Sequence, residues 1–161
     1  MKIENRYTEN PVQNLLNAVV VQAAEDYRLY SAKLLKRPGS KQAAEEKEMI
    51  RSFFLSQYFE MYTAVEGAYI LKKLESEEQE MQRDYENRNQ ISLCLCEIWE
   101  KIRLGDGPDP NQMQEAQKLV KQLKSFEKEV PDMWQNLFRL TTKEKEIIRT
   151  LKKWEKEYDG S

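Results

Sequence analysis

Histidine is absent from all 161 residues. That removes the most frequently used general base and the imidazole metal ligand in one stroke. The di-metal sites of helical bundles need Glu-x-x-His pairs facing inward, and no such pair can be written in this chain. Glycine and proline are scarce, five of each. The glycine pair in Gly105-Asp106-Gly107 has neither a following Lys-Ser/Thr nor a preceding strand, so it is no phosphate loop. The two cysteines form a Cys94-Leu95-Cys96 triplet. Positions two apart on a helix point to different sides, so they do not pair there. Without histidine or further cysteine they cannot complete a tetrahedral zinc site, and they read as small core residues. No run approaches the roughly 18 apolar residues of a membrane span. Ala18-Val19-Val20-Val21 is too short for one and lacks a cleavage-type flank, so a cytoplasmic protein is expected. These absences leave a non-catalytic protein with no cofactor, no metal and no membrane association.

What remains is periodic and punctuated. Hydrophobic residues make up 40% of the chain, enough for a core, and charged residues 34%. Asn10-Pro11 places a capping side chain before a proline at the first helical position. Val12, Leu15, Leu16, Val19, Ala23, Tyr27, Tyr30 and Leu34 then follow at spacings that predict a helix. Arg37-Pro38-Gly39-Ser40 is a turn by composition, and Ser40 can cap a second helix. Ala43, Ile50, Phe53, Phe54 and Met61 form its apolar face, with Tyr58 and Phe59 alongside. Thr63-Ala64-Val65-Glu66 matches a capping box. The run beyond it keeps Val65, Tyr69, Ile70, Leu74, Met81, Tyr85, Leu95, Trp99 and Ile102 in helical phase, which predicts a long helix from Ala64 to about Leu104. Asn87-Arg88-Asn89 is where it would break.

Gly105–Pro110 reads as a linker, with Asp109 and Pro110 restarting a helix that carries Met113, Ala116, Val120, Leu123 and Phe126. Val130-Pro131 interrupts it. Trp134, Leu137 and Phe138 follow in a short segment, and Thr141-Thr142-Lys143-Glu144 offers another capping box. The last helix carries Ile147, Leu151, Trp154 and Tyr158 in a heptad-like row. The expected fold is all-α: a helical hairpin packed on a long third helix, then a C-terminal helical segment. The expected division is a helical domain over 1–104, a linker over 105–110 and a C-terminal segment over 111–161. The long helix and the heptad-like row are compatible with a homodimer.

Asn10-Pro11-Val12-Gln13-Asn14-Leu15 and the stretch Val19 to Arg28, with Lys36-Arg37-Pro38-Gly39-Ser40-Lys41 and Arg51-Ser52-Phe53-Phe54, resemble small helical proteins of unknown function. Those proteins are carried on conjugative and phage-like elements of Firmicutes. The resemblance covers somewhat under half the chain and fades after Leu74. Where that family has Arg-Ser-Glu-Trp-Phe, this chain has Leu55-Ser56-Gln57-Tyr58-Phe59. The family supplies no catalytic residues; it implies a setting on bacterial mobile DNA.

Net charge is −2, but residues 60–100 hold ten acids against four bases. Within them Glu77, Glu80 and Asp84 flank one side of the apolar stripe, and Glu75, Glu78 and Glu86 the other. These six are the candidate partner-binding acids, a surface that would imitate phosphate toward a basic partner. Tyr58 and Phe59 are the candidate aromatic anchors, since aromatics concentrate binding energy at interfaces. The bases of the C-terminal segment, from Lys118 to Lys156, are interleaved with acids, which disfavours direct nucleic-acid binding and a DNA-binding regulator. The expected function is protein binding by a mobile-element accessory protein that modulates or inhibits its partner, in one form a host defence nuclease in the anti-CRISPR manner. The alternative is an assembly protein that oligomerises through its long helix.

Overall fold

The computed structural model describes residues 10–63, 65–105 and 107–159. Residues 1–9, the expected helix start at Ala64, Asp106 of the linker and the Tyr158 side chain lie outside that description. Among the described residues there are helices and no strand, so the protein is all-α.

Helix α1 spans Pro11–Lys36 and starts as its sequence dictates. The Asn10 side-chain oxygen accepts from the Val12 and Gln13 N–H groups at 3.0 and 3.4 Å. It stops at Arg37, whose N–H reaches the Lys33 carbonyl at 2.9 Å. The residue before a proline is pushed out of the helical region, and Arg37 takes φ −135°. Ser40 caps α2, Lys41–Phe54, by accepting from Ala43 N–H at 3.3 Å. The two helices form the expected hairpin.

The aromatic run departs from one continuous helix. Helix α2 closes at Phe54, and a separate short helix α3 occupies Gln57–Tyr62. Ser56 makes the break: its hydroxyl donates to the Phe53 carbonyl at 2.7 Å and accepts from Phe59 N–H at 3.3 Å. One side chain thus ends one helix and caps the next. Thr63 likewise terminates α3, its hydroxyl lying 2.7 Å from the Phe59 carbonyl oxygen and 2.9 Å from that of Val65. The expected capping box at Thr63–Glu66 is therefore replaced by a C-terminal cap, and helix α4 begins at Gly67. The long helix is thus the fourth in the chain rather than the third.

Helix α4 runs unbroken over Gly67–Leu104, through Asn87-Arg88-Asn89. The chain divides into two compact units at residues 83 and 84, inside this helix, whereas its composition suggested a boundary at Gly105–Pro110. The first unit packs Val20, Ala24 and Tyr27 of α1 with Phe54, Phe59 and the α4 residues Ile70, Leu71 and Leu74. The Phe53, Phe54 and Phe59 rings meet one another at 5.5–5.6 Å, a geometry that adds to area burial. Phe54 is fully buried and Phe53 half-buried. Phe54→Ala should therefore cost about 3–5 kcal/mol and Phe53→Ala clearly less, as read from urea denaturation.

The second unit uses the C-terminal half of α4. Leu95, Trp99 and Ile102 pack with Met113, Ala116 and Leu123 of α5, which spans Pro110–Glu129, and with Ile147 and Leu151 of α7, Thr142–Asp159. Helix α5 begins where expected, the Asp109 carboxylate accepting from Asn111 N–H at 3.0 Å. A 3-10 turn, Asp132–Trp134, leads into α6, Gln135–Phe138. The capping box before α7 forms in both directions: Thr141 N–H donates to Glu144 at 2.9 Å, and Glu144 N–H to the Thr141 hydroxyl at 3.2 Å. Ile147 and Leu151 of the heptad-like row belong to this core, so they are occupied within the chain.

Candidate functional site

The first half of the candidate acidic surface is engaged by the hairpin. Glu75 accepts from Arg51 at 2.7 Å. Glu77 accepts from Arg28 Nε and Nη2 at 2.9 and 3.2 Å, a forked pair on a half-buried carboxylate. Glu78 accepts from the Tyr27 hydroxyl at 2.7 Å and pairs with Lys47. Burial first, and then the bond to Glu78, push the Tyr27 phenol well above its ordinary range, so the hydroxyl is a fixed donor. Tyr27, Lys47, Arg51, Glu75 and Glu78 line a cleft of about 470 Å³ between α1, α2 and α4. Its walls carry Lys47 and Arg51 opposite Glu75 and Glu78, so the charges answer one another across it. The acids Glu75, Glu77 and Glu78 thus dock α4 against α1 and α2. Glu80, Asp84 and Glu86 remain exposed on the helix.

The two candidate anchors separate. Phe59 is 2% exposed and belongs to the core with Phe53 and Phe54; it is a packing residue, not an anchor. Tyr58 is 73% exposed. The break at Ser56 explains the split, because restarting the helix there turns Phe59 inward and Tyr58 outward. Met61, three residues on and sharing the outer side of α3, is 72% exposed. Leu55, Val65 and Tyr69 in the flanking segments are each at least half exposed. The sequence pattern assigned Met61, Val65 and Tyr69 to apolar faces of helices. The one local signal for the alternative was Ser56, a capping residue inside an apolar run.

Two further groups bear on chemistry. Cys94 and Cys96 are free thiols, half-buried on α4. Burial pushes the Cys96 thiol up, away from the thiolate that nucleophilic work needs. Arg88 and Glu144 form an ion pair in which each side chain is no more than 4% exposed. Arg88 also donates to the Arg139 carbonyl at 3.1 Å, and the second Glu144 oxygen accepts from Ser92 at 2.8 Å. This pair fixes the α7 cap onto α4 and is enclosed, so it offers nothing to a substrate. Among the described residues no three acidic or thiol side chains converge as a metal would require, and no helix is long and apolar enough to cross a membrane.

No family model, curated protein or solved structure matches the chain.

Proposed function

We propose that this protein is a non-catalytic accessory factor that binds another protein through the outer side of α3 and its flanking turns. The observation that carries the reading is the exposure of Tyr58 and Met61 beside a buried Phe59. Large apolar side chains that could have entered the core are held out by a short capped helix. Aromatic and methionine side chains are over-represented at protein interfaces, and contiguous exposed apolar surface marks such sites. Glu80, exposed on the helix that follows, would steer a basic partner and set salt dependence more than affinity. The resemblance of the N-terminal helices adds a setting on a bacterial mobile element. A host protein whose activity the element gains by blocking, such as a defence nuclease, is the partner class that fits this setting.

Affinity capture from a bacterial host lysate, with wild type and Tyr58→Asp/Met61→Asp side by side, tests the reading. The wild type should retain a specific protein that the variant loses, while circular dichroism and melting stay unchanged because both positions are exposed. Retention of the same proteins by both would remove α3 as the binding surface.

A further inference from the structure

The second unit carries an apolar groove with cationic walls that the reading above does not use. It is a cavity of about 490 Å³ lined by Lys124, Leu140, Lys145, Ile148 and Arg149. Leu140 and Ile148 form its aliphatic floor. Lys124 stands on the α5 side and Lys145 with Arg149 on the α7 side. The cationic walls extend by helix geometry. Lys121 and Lys128 lie one turn to either side of Lys124 on the same flank, and Lys152 continues the row of Lys145 and Arg149 at a spacing of four and three.

Glu75, Glu77 and Glu78 each have a basic partner across the hairpin, whereas Lys124, Lys145 and Arg149 have no ion-pair partner among the described residues. The nearby acid Glu127 is tied to the floor, accepting from Leu140 N–H at 3.0 Å. Glu155, seven residues after Ile148, falls on the same side of α7 and reverses the sign there. The cationic part is therefore about two turns long.

We propose that this groove binds an acidic amphipathic helix of a partner protein, with aliphatic side chains seated on Leu140 and Ile148 and carboxylates meeting the lysines and arginine on both walls. Charge complementarity gives the sign of the partner, and the floor gives its class. Single-stranded nucleic acid bound through its bases needs aromatic platforms for stacking, and the lining contains none. A phosphate backbone alone would leave the aliphatic floor uncovered. A helix that carries apolar residues at i, i+3, i+4 and i+7 between acidic flanks satisfies both parts.

Binding in this groove needs nothing from α3, and a peptide probe separates the two surfaces. The probe is a fluorescein-labelled peptide of about 18 residues, long enough to hold a helix, with leucines at those four spacings and glutamates on both sides. Controls are the same peptide with its leucines changed to serine, the same peptide with its glutamates changed to glutamine, and a labelled oligothymidylate of matching charge. Fluorescence anisotropy should show the acidic leucine peptide binding at least about tenfold tighter than every control, with affinity falling as salt rises. Lys124→Glu/Arg149→Glu should weaken it by roughly tenfold or more with helicity and melting retained, and Tyr58→Asp/Met61→Asp should leave it unchanged. Equal binding of the serine peptide would reduce the groove to a patch of charge and overturn the proposal. Tighter binding of the oligothymidylate would overturn it in favour of a phosphate site. Undiminished binding to the double variant would place the peptide elsewhere.

Discussion

Arg88→Ala should destabilise the second unit by about 3–5 kcal/mol, the range for breaking a buried ion pair at one end. The reason lies in what is left behind. Glu144 is 2% exposed and would keep only the Thr141 N–H and the Ser92 hydroxyl, at 2.9 and 2.8 Å. Its charge would have no counter-ion in a site with almost no water. Glu144→Gln should be comparably costly, because it strands the Arg88 guanidinium, whose Nε already lacks a partner. The double change Arg88→Met/Glu144→Leu should recover most of the loss, since desolvating a pair of charges cancels much of their attraction. Urea denaturation of Arg88→Met, Glu144→Leu and the double variant that combines them gives the coupling energy directly. Additive single losses in the double variant would show that the pair contributes through separate contacts.

The same pair sets an acid limit. Burial by itself would raise the Glu144 carboxyl, but the bonds from Arg88, Thr141 and Ser92 outweigh it and hold the group below its ordinary value of 4.5. A depressed carboxylate favours the folded state above its unfolded pKa, and the contribution is lost as pH falls through the folded value. Stability should therefore drop below about pH 4.5, and the drop should be smaller in Arg88→Met/Glu144→Leu.

Gly67→Ala should cost roughly 3 kcal/mol, against the direction of helix propensity. In an exposed helix alanine is the better residue by about 1 kcal/mol. Here a Cβ would stand 1.7 Å from the Phe54 carbonyl oxygen, 2.7 Å from its carbon and 2.9 Å from a Phe59 ring carbon. The obstacle is backbone, which cannot swing aside as a side chain can, so α4 and the end of α2 must separate. Melting should fall by roughly 6–12 °C. Phe54 and Phe59 would both move, and with them the Leu55–Val65 segment that holds Tyr58 and Met61 outward. Partner capture should weaken along with stability. A variant that melts like wild type would mean that α4 can start one residue later without disturbing the aromatic cluster.

What was legible in the sequence was local. Asn10-Pro11, Ser40, Asp109-Pro110 and the Thr141–Glu144 box are capping interactions closed within four residues, so the residue types and their spacing suffice to place them. The all-α class and the buried pattern of Leu95, Trp99, Ile102, Ile147 and Leu151 follow from periodicity alone. Ser56 and Thr63 show where local reading is ambiguous, because a hydroxyl that can cap the start of one helix can equally terminate another. Tertiary packing chose between the two, since burying Phe59 against Phe53 and Phe54 requires the break. The long-range pairings were not legible. Arg28 meets Glu77 across 49 positions, Arg51 meets Glu75 across 24, and Arg88 meets Glu144 across 56. Each charge has many candidate partners of opposite sign in a chain with 26 bases and 28 acids. Only the helix faces that packing brings together decide which acids of α4 are neutralised, which stay on the surface, and why Lys124, Lys145 and Arg149 are left facing one groove.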